Sequence, residues 1–344
     1  MTYNKKKILS KSPLRISFAG GGSDIKEYFL KHKSAVINST INLYCYCEIT
    51  QNKKDTNFVS VDKDINEIYK ESSNSNLIIH RACYEYFKSK YNKNKNYNIS
   101  IKTFSDVPEG SGLGTSSSLT VCIIKGLSEL FKVKMGKAYL AKLAYKIERE
   151  ECAISGGVQD FFAAAFGGTN LFEFHGNKFV RKKIVMPNLF RYKFESSLLV
   201  IFLGNSRNSS KIIDSQKKSL LKSGKPYLDI MRKTVDGVYK IKDSILTSNF
   251  TRFHDEINEL WRIKKKFSKK ITNRAIDSLY SKLKTLGVKS GKLSGAGGGG
   301  FMYLFVDFDK KKILKDYLDK RGITIYNVYL TNDSVQSHTS KESI

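Results

Sequence analysis

The order of apolar and polar positions predicts a chain that switches repeatedly between strands and helices. In the first half, segments rich in β-branched and aromatic residues predict strands over Ala35–Ile41, Tyr44–Thr50 and Asn98–Ser105. Apolar residues that recur at helical spacing predict helices over Leu77–Tyr91 and Lys137–Cys152. The pattern therefore indicates a protein of mixed strands and helices.

The second half of the chain continues the mixed pattern and contains the predicted domain boundary, at Pro187 and Asn188. The tail from Thr331 is polar, and we expect it to be loosely held. The other predicted elements are strands over Thr169–His175, Lys178–Val185, Ser197–Leu203, Phe301–Val306 and Thr324–Leu330, a helix over Lys310–Arg321, and a helical stretch from Lys225 to Leu286 with breaks near Asn249 and Lys269.

Length and charge narrow the class of protein. The chain has 344 residues, which suits two domains or one large α/β unit. Its net charge is +28, from 60 Lys and Arg against 32 Asp and Glu. Only 11 of the 60 basic residues are Arg, the residue that best matches guanine edges. The charge therefore favours an anionic small substrate. A basic nucleic-acid-binding protein stays open as an alternative from a different class.

The sequence predicts neither a membrane segment nor a thiolate metal site. The longest apolar runs, such as Leu198–Leu203, are far shorter than the roughly 20 residues that a membrane helix needs. Met1–Ser10 is Lys-rich and leads into no long apolar stretch, so we expect no signal peptide, no membrane partner and a cytoplasmic protein. The five Cys lack CxxC spacing, which predicts reduced, buried thiols. The sequence does not indicate an oligomeric state.

Of three separated glycine-rich segments, the middle one, Pro108–Ser118, is the most informative. It places Gly110, Gly112 and Gly114 before a run of hydroxyl residues and an apolar helix. This order exposes backbone N–H groups at the positive end of a helix, where phosphate binds. A Ser-capped helix after a flexible turn explains the same residues. No Lys follows the last glycine, which excludes a Walker loop.

The first and last glycine segments each allow two interpretations. In Pro13–Asp24, Arg15 lies just ahead of a predicted strand and Asp24 follows three glycines. A carboxylate there suits the hydroxyls of a polyol, whereas the alternative is an Asp cap for a helix over Ile25–Leu30. Lys292–Gly300 opens a β-type run, so it is not a dinucleotide fingerprint. It is either a turn packed against another loop or a second phosphate contact.

In their order, these segments resemble the motifs of the GHMP kinase superfamily, named for galactokinase, homoserine kinase, mevalonate kinase and phosphomevalonate kinase. The middle segment resembles the family's P-x-x-x-G-L-G-S-S loop, with Thr115 in place of the first Ser, and the resemblance spans about residues 12 to 330. The chain is most similar to a bacterial subgroup that phosphorylates heptose 7-phosphate, over the segments Pro13–Tyr28, Phe104–Ser118, Leu143–Gly168 and Ser290–Phe301. That subgroup usually has G-G-x-Q-D-Q, and Phe161 replaces the last Gln here.

The resemblance implies a fold and a reaction. The fold would be α+β, with a ribosomal-S5-like domain over residues 1–190, a ferredoxin-like domain over residues 191–344 and the active site between them. The reaction would use ATP and Mg²⁺ to phosphorylate the anomeric hydroxyl of D-glycero-α-D-manno-heptose 7-phosphate. The 1,7-bisphosphate would serve GDP-heptose and surface polysaccharide synthesis. A sibling sugar kinase of the fucose or galactose type is the alternative within the superfamily.

The resemblance also implies roles for particular residues. The backbone that would bind the ATP phosphates comprises Gly110, Ser111, Gly112, Leu113, Gly114, Thr115 and Ser116. The other implied groups are Asp160 as catalytic base with Arg15 beside it, Ser116 and Glu148 as Mg²⁺ ligands, Asp24, Gly22 and Gly157 for the sugar, and Gly295, Gly297 and Gly298 as loop support. Without the resemblance, Glu148 is typical of a solvated helix face and Asp160 of a helix start.

A substrate with a second phosphate needs a further cationic group. The subgroup commonly has Arg where this chain has Arg207, and Trp-Arg-x-Lys-Lys where it has Lys264 and Lys265. The resemblance therefore implies that these three side chains bind the remote phosphate. Surface charge is the alternative for the two lysines.

Overall fold

The computed structural model of the chain describes residues 5–52, 54–71, 74–91, 98–204 and 209–342. Its strands are β1 (Lys5–Ala19), β2 (Ser34–Asn52), β3 (Asn57–Ser60), β4 (Ile65–Ile68), β5 (Asn98–Ser105), β6 (Thr169–His175), β7 (Lys178–Lys183), β8 (Leu198–Phe202), β9 (Val288–Leu293), β10 (Phe301–Val306), β11 (Thr324–Tyr326) and β12 (Gln336–Glu342). Its helices are α1 (Lys26–Phe29), α2 (Ile78–Tyr91), α3 (Thr115–Leu130), α4 (Lys137–Tyr145), α5 (Gln159–Phe166), α6 (Asn188–Ser197), α7 (Ser209–Leu246), α8 (Phe250–Lys265), α9 (Arg274–Thr285) and α10 (Lys311–Asp319).

The first sheet is built around two long antiparallel strands, β1 and β2. Its order is β12-β1-β2-β5-β3-β4, and β6 pairs with β2 and carries β7. Helix α3 is held to β1 by the Ser118 hydroxyl, which donates to the Ser12 carbonyl at 3.0 Å. The Arg15 N–H of β1 donates to the Leu113 carbonyl at 3.1 Å. The glycine loop before α3 is thereby fixed beside Arg15.

The second sheet is antiparallel, with the order β11-β8-β10-β9. Every residue of its strand β10 is buried. The ring of Phe18 in β1 lies 5.3 Å from the ring of Phe194 in α6 and 6.5 Å from Phe253 in α8. These edge-to-face contacts join the two sheets through a shared aromatic core and fix the end of β1 against the second sheet.

Two predictions of a general kind can be compared with the structure. The five Cys are buried and free, as predicted. Among the helices of the described residues, none is both long enough and apolar enough to cross a membrane.

The predicted helix Lys137–Cys152 is an α-helix only over its first nine residues. α4 ends at Tyr145, and a π-helical turn follows over Lys146–Glu151. A π turn holds an extra residue per turn and re-aims the side chains that it carries. Glu148 is completely buried there, whereas Glu150 is exposed. The solvated-face interpretation of Glu148 is therefore wrong.

The prediction of a loose tail is also wrong. β12 pairs antiparallel with the first seven residues of β1. Just before it, the Asp333 carboxylate accepts hydrogen bonds from Lys11 Nζ at 3.1 Å and from the Tyr44 hydroxyl at 2.8 Å. Backbone pairing and polar contacts hold this segment in place. Because the residues of β12 form no apolar pattern, the sequence gave no indication of a strand. The chain thus returns to the first sheet after the second one, and the division near residue 190 stays a prediction.

Smaller differences concern where elements begin and end. Arg15 lies inside β1 and not ahead of a strand, and β2 is one continuous strand where two were predicted. The strand predicted to reach Leu330 ends at Tyr326. The predicted break near Asn249 is confirmed, because its side chain caps α8 by accepting from the Arg252 N–H. The sequence predictions contained no β3, β4 or α6.

Candidate active site

A cleft opens where the end of β1, the glycine loop before α3 and the start of α5 meet the end of α8 and strand β9. The structure brings the predicted Arg15, Asp24 and Asp160 together in its wall. Ser116 and Lys264 also border it. Residues separated by more than 200 positions in the chain therefore share one site.

The glycine loop has the backbone geometry that its sequence requires. Gly110, Gly112 and Gly114 have φ values of +71°, +87° and +80°, a region that favours glycine. α3 begins directly after Gly114, with no side-chain cap on its first N–H groups. Those uncapped N–H groups suit an anion at the positive end of the helix. The Ser-cap interpretation does not fit this helix start.

The last glycine segment packs tightly against the middle one. A Cβ on Gly112 would lie 2.6 Å from the Ser294 carbonyl oxygen, and one on Gly295 would lie 2.4 Å from the Gly112 Cα. The Ser294 hydroxyl also donates to the Gly112 carbonyl at 2.9 Å. Of the two interpretations of this segment, the geometry supports the packed turn, and Gly295 packs directly on the glycine loop before α3.

Gly297 and Gly298 play a different structural part from Gly295. A Cβ on Gly297 would lie 2.7 Å from the Ile271 carbonyl oxygen, and one on Gly298 would lie 2.6 Å from the Ile212 Cδ1. Their neighbours are therefore the segment after α8 and helix α7. Any support that they give the glycine loop before α3 is indirect.

Arg15, which is buried, and Asp160, which is partly buried, form an ion pair in the wall of the cleft. Arg15 donates from Nε to Asp160 Oδ1 at 2.7 Å, and its Nη2 lies 2.6 Å from the same oxygen. Arg15 Nη1 also donates to the Gly112 carbonyl at 2.8 Å, which ties the pair to the glycine loop. A Cβ on Gly114 would lie 3.2 Å from Asp160 Oδ2. The pair is therefore next to the proposed phosphate loop.

Ser116 and Glu148 also lie side by side, as the resemblance implies. The Ser116 hydroxyl donates to Glu148 Oε1 at 2.8 Å, and Thr120 Oγ1 donates to Oε2 at 2.8 Å. Arg149 Nη1 contacts the same Oε1 at 2.6 Å. Within the described residues, no group of three or more His, Cys, Asp or Glu could hold a metal on its own. Glu148 is completely buried and only Ser116 of the two lines the cleft, so Mg²⁺ at this place would be held mostly by nucleotide phosphates and water.

Asp24 is buried and held by backbone donors. It accepts hydrogen bonds from the Gly22 N–H at 3.1 Å and from the Gln159 N–H at 3.2 Å. Burial raises the pKa of Asp24 above its usual value, and the nearby charge of Asp160 raises it further. The N-cap of α1 is Ile25 without a side-chain hydrogen bond, so Asp24 does not cap that helix.

Gly157 lies so close to the Asp24 carboxylate that position 157 requires a glycine. A Cβ on Gly157 would lie 1.9 Å from Asp24 Oδ2. On the other side, a Cβ on Gly22 would lie 3.3 Å from the ring of Phe267. Gly157 therefore leaves room for the Asp24 carboxylate, Gly22 donates its N–H to that carboxylate, and both glycines line the same cleft.

The three cations predicted for a remote phosphate have different positions. Lys264 is 9% exposed and borders the cleft. Lys265 does not: its Nζ lies 3.4 Å from Asp277 and 5.7 Å from the Trp261 ring. Consecutive residues on an α-helix point about 100° apart, so only one of the two can face the cleft. Arg207 lies outside the described residues.

The cleft residues that were missed from the sequence include Ser17, Arg149 and Lys292. Ser17 and Lys292 lie within the first and last glycine-rich segments. The alternation of side chains along a strand does not indicate which of them has a function. Arg149 follows Glu148 and lies with its guanidinium carbon 4.8 Å from the Phe161 ring centre. Phe161 is the residue that departs from the subgroup pattern. Its ring thus provides the apolar surface on which Arg149 lies.

The fold and the cleft together define a small-molecule kinase of two sheets with a glycine loop at a helix N-terminus. Comparison with known families agrees. Residues 76–168 match the GHMP kinases N terminal domain, and residues 241–324 match the GHMP kinases C terminal domain. A D-glycero-alpha-D-manno-heptose 7-phosphate kinase of Campylobacter jejuni is 36% identical over 96% of this chain and 99% of its own length. The chain belongs to the GHMP kinase family, and the prediction of an ATP-dependent kinase is confirmed.

Solved structures agree with this assignment. A D-glycero-D-manno-heptose 1-phosphate kinase from Bacteroides thetaiotaomicron has a TM-score of 0.79 at 27% identity, covering 96% of this chain and 98% of its own. A galactokinase of Lactococcus lactis in complex with galactose has a TM-score of 0.73 at 16% identity, covering 96% and 95%. The second likeness concerns the fold alone. The predicted α+β fold of this family is confirmed.

Proposed function

We propose that this kinase transfers the terminal phosphoryl group of ATP to the anomeric hydroxyl of D-glycero-α-D-manno-heptose 7-phosphate. The product would be the 1,7-bisphosphate, on the way to GDP-heptose for surface polysaccharide. The observation that carries the proposal is the 36% identity to the C. jejuni heptose 7-phosphate kinase over 96% of the chain, together with an Arg15–Asp160 pair beside the glycine loop. The cytoplasmic location stays a prediction.

The glycine loop and the start of α3 would bind the nucleotide phosphates. Their uncapped N–H groups can donate to phosphate oxygens, and glycine lets the backbone approach them closely. Phosphoryl transfer needs positioning and charge stabilisation more than covalent help from the protein. A loop braced by Gly295 and tied to Arg15 through the Gly112 carbonyl supplies a fixed position.

Asp160 would accept the proton of the sugar hydroxyl. Its Oδ1 is held by Arg15, and Oδ2 is next to Gly114 of the loop. A carboxylate within hydrogen-bond reach of a hydroxyl orients it and can take its proton in the transition state. Arg15 would stabilise negative charge that develops between the hydroxyl and the transferred phosphoryl group.

Ser116 and Glu148 would hold Mg²⁺ together with the nucleotide phosphates. A bound Mg²⁺ supplies neutralisation of charge on the phosphate oxygens. Asp24 would accept hydrogen bonds from sugar hydroxyls, because it lines the cleft beside Gly157, whose lack of a side chain leaves room next to the Asp24 carboxylate.

A coupled assay of ADP release across a substrate panel tests the proposal. The panel contains heptose 7-phosphate, unphosphorylated heptose, mannose, fucose and galactose, and the Asp160→Asn variant gives the background. We expect the highest kcat/KM with heptose 7-phosphate. A bifunctional fucokinase of Arabidopsis thaliana is 25% identical over 92% of this chain, so a fucose-type activity is the second candidate. Preference for fucose or galactose would replace the heptose proposal and leave the kinase class standing.

A further inference from the structure

Two buried ammonium groups border the cleft. The resemblance implies that Lys264 binds a remote phosphate, whereas Lys292 has been given no role so far. Lys264, at the end of α8, is 9% exposed, and Lys292, in β9, is 5% exposed. Lys264 Nζ donates to the carbonyls of Leu293 and Gly295, and Lys292 Nζ donates to the Phe18 carbonyl at 2.9 Å. Each ammonium carries three N–H groups. One N–H of Lys264 and two of Lys292 therefore remain for other partners.

Neither ammonium group is neutralised by a carboxylate. In the part of the chain that the structure describes, neither Lys264 nor Lys292 forms an ion pair. The other charged groups near them are Arg15 and Asp24, and Arg15 is already paired with Asp160. Positive charge therefore exceeds negative charge at this end of the cleft.

Burying an unpaired charge is costly, and the pKa values reflect this cost. Burial lowers the pKa of Lys292 to about 7, and the charge of Arg15 lowers it further. Burial also lowers the pKa of Lys264, with added repulsion from Lys292 and Arg15. A packing role would be filled more stably by an apolar side chain. Two ammonium groups that border a cleft without a carboxylate partner are explained by an anion that binds in that cleft.

We infer that Lys264 and Lys292 form a subsite for a phosphate group. The inference rests on the proposed function, because that function brings phosphate into the cleft from two sources. One source is the phosphate already on the sugar, and the other is the terminal phosphate of the nucleotide. Both present the same oxygens to the same N–H donors, as a charge-assisted contact.

Binding measurements on single variants test the subsite and distinguish the two sources. Lys292→Met and Lys264→Met remove each charge and keep most of the volume. The matched control is Lys265→Met, the next residue on α8, which lies outside the cleft. Calorimetry measures heptose 7-phosphate and unphosphorylated heptose without nucleotide, and a non-hydrolysable ATP analogue without sugar. Removing a hydrogen bond to a charged group weakens binding roughly 10–150-fold.

Each outcome has a definite meaning. Selective loss of heptose 7-phosphate affinity, with heptose and the ATP analogue unchanged, supports the subsite and assigns it to the sugar phosphate. Selective loss of affinity for the ATP analogue supports it and assigns it to the terminal phosphate. Unchanged affinity for all three ligands in both variants overturns the inference. Lys292→Arg keeps the charge and should restore part of the loss, which excludes misfolding as the cause.

Inorganic phosphate separates this inference from the choice of sugar. Its binding, followed by ³¹P NMR titration, needs neither turnover nor the correct sugar. We expect wild type and Lys265→Met to bind phosphate alike and both cleft variants to bind it several-fold more weakly. If the substrate panel fails and this pattern holds, the sugar is wrong and the subsite stands. If all four proteins bind phosphate equally, the subsite is wrong whatever the sugar is.

Discussion

Arg15 holds one oxygen of the Asp160 carboxylate and leaves the other to the cleft. Nε and Nη2 of Arg15 lie 2.7 and 2.6 Å from Oδ1. Among the described residues, none donates a hydrogen bond to Oδ2, which lies beside Gly114. The carboxylate is thus fixed in orientation by a rigid strand and presents a single acceptor to a substrate hydroxyl.

Asp160→Asn should reduce kcat roughly 10²–10⁴-fold, the usual scale for a positioned acid–base group. The amide can keep its oxygen on Arg15, which puts an N–H₂ where Oδ2 was. That group donates to the hydroxyl and cannot accept its proton. The measurement is kcat from ADP release, with affinity for an ATP analogue as the control for folding. Turnover within a few-fold of wild type would remove Asp160 from this role.

Ser116→Ala and Glu148→Gln should each raise the Mg²⁺ concentration needed for tight binding of an ATP analogue. Each variant removes one oxygen that Mg²⁺ is expected to use. Titration of Mg²⁺ against analogue affinity measures the effect without turnover.

Glu150→Gln is the matched control for this metal test, because Glu150 lies two residues further on and is exposed, with its carboxylate on Lys26. It should leave the Mg²⁺ titration unchanged. If Ser116→Ala and Glu148→Gln also leave it unchanged, the 2.8 Å contact between those two residues serves packing of α3 and not metal binding.

The parts of the site that could be predicted are those whose residues lie together in a short sequence motif. Gly112 and Gly114 need a left-handed backbone, and a helix start follows them directly, so the loop can be recognised from sequence. Arg15 and Asp160 could be assigned by resemblance, because each lies inside a motif. Their contact, over 145 positions, depends on the fold alone.

The parts that could not be predicted depend on which way a side chain points. Lys264 and Lys265 are adjacent and chemically identical, yet one is buried at the cleft and the other is paired with Asp277. The π turn that buries Glu148 has no signature in apolar spacing. β12 is held by backbone pairing with β1, which its polar sequence does not indicate. The sequence therefore predicted a loose tail.

Gly157→Ala should lower kcat/KM for the sugar roughly 10–100-fold and leave the KM for ATP within a few-fold of wild type. The added methyl would lie 1.9 Å from Asp24 Oδ2, so Asp24 must move. A shift of about 1 Å in a positioning group can cost 10²-fold in rate. Gly136→Ala is the control, because a Cβ at Gly136 meets nothing within 4 Å. Equal kinetics in the two variants would exclude a sugar-positioning role for Asp24.

Lys292→Met should make the protein more stable at neutral pH and reduce the rise of its stability between about pH 7 and pH 10. In the folded protein burial lowers the pKa of Lys292 to about 7, whereas an unfolded lysine has its ordinary value of 10.5. Across this window the unfolded chain holds a proton that the folded chain has released, so the stability of wild type rises with pH. Below pH 7 both states are protonated, and the full cost of burying the charge remains.

Urea unfolding at several pH values measures this dependence, with the free energy of unfolding compared between wild type and Lys292→Met. Wild type and Lys292→Met share every other titrating group, including Lys264 and Arg15, which face Lys292. The difference between their two stability curves therefore isolates the titration of Lys292. The difference should be largest near pH 7 and should shrink as the pH approaches 10. Lys265→Met should follow the wild-type curve, because an exposed ion pair contributes little. A difference that stays constant from pH 7 to pH 10 would show that Lys292 keeps its proton in the folded protein and that its burial carries no charge penalty for an anion to relieve.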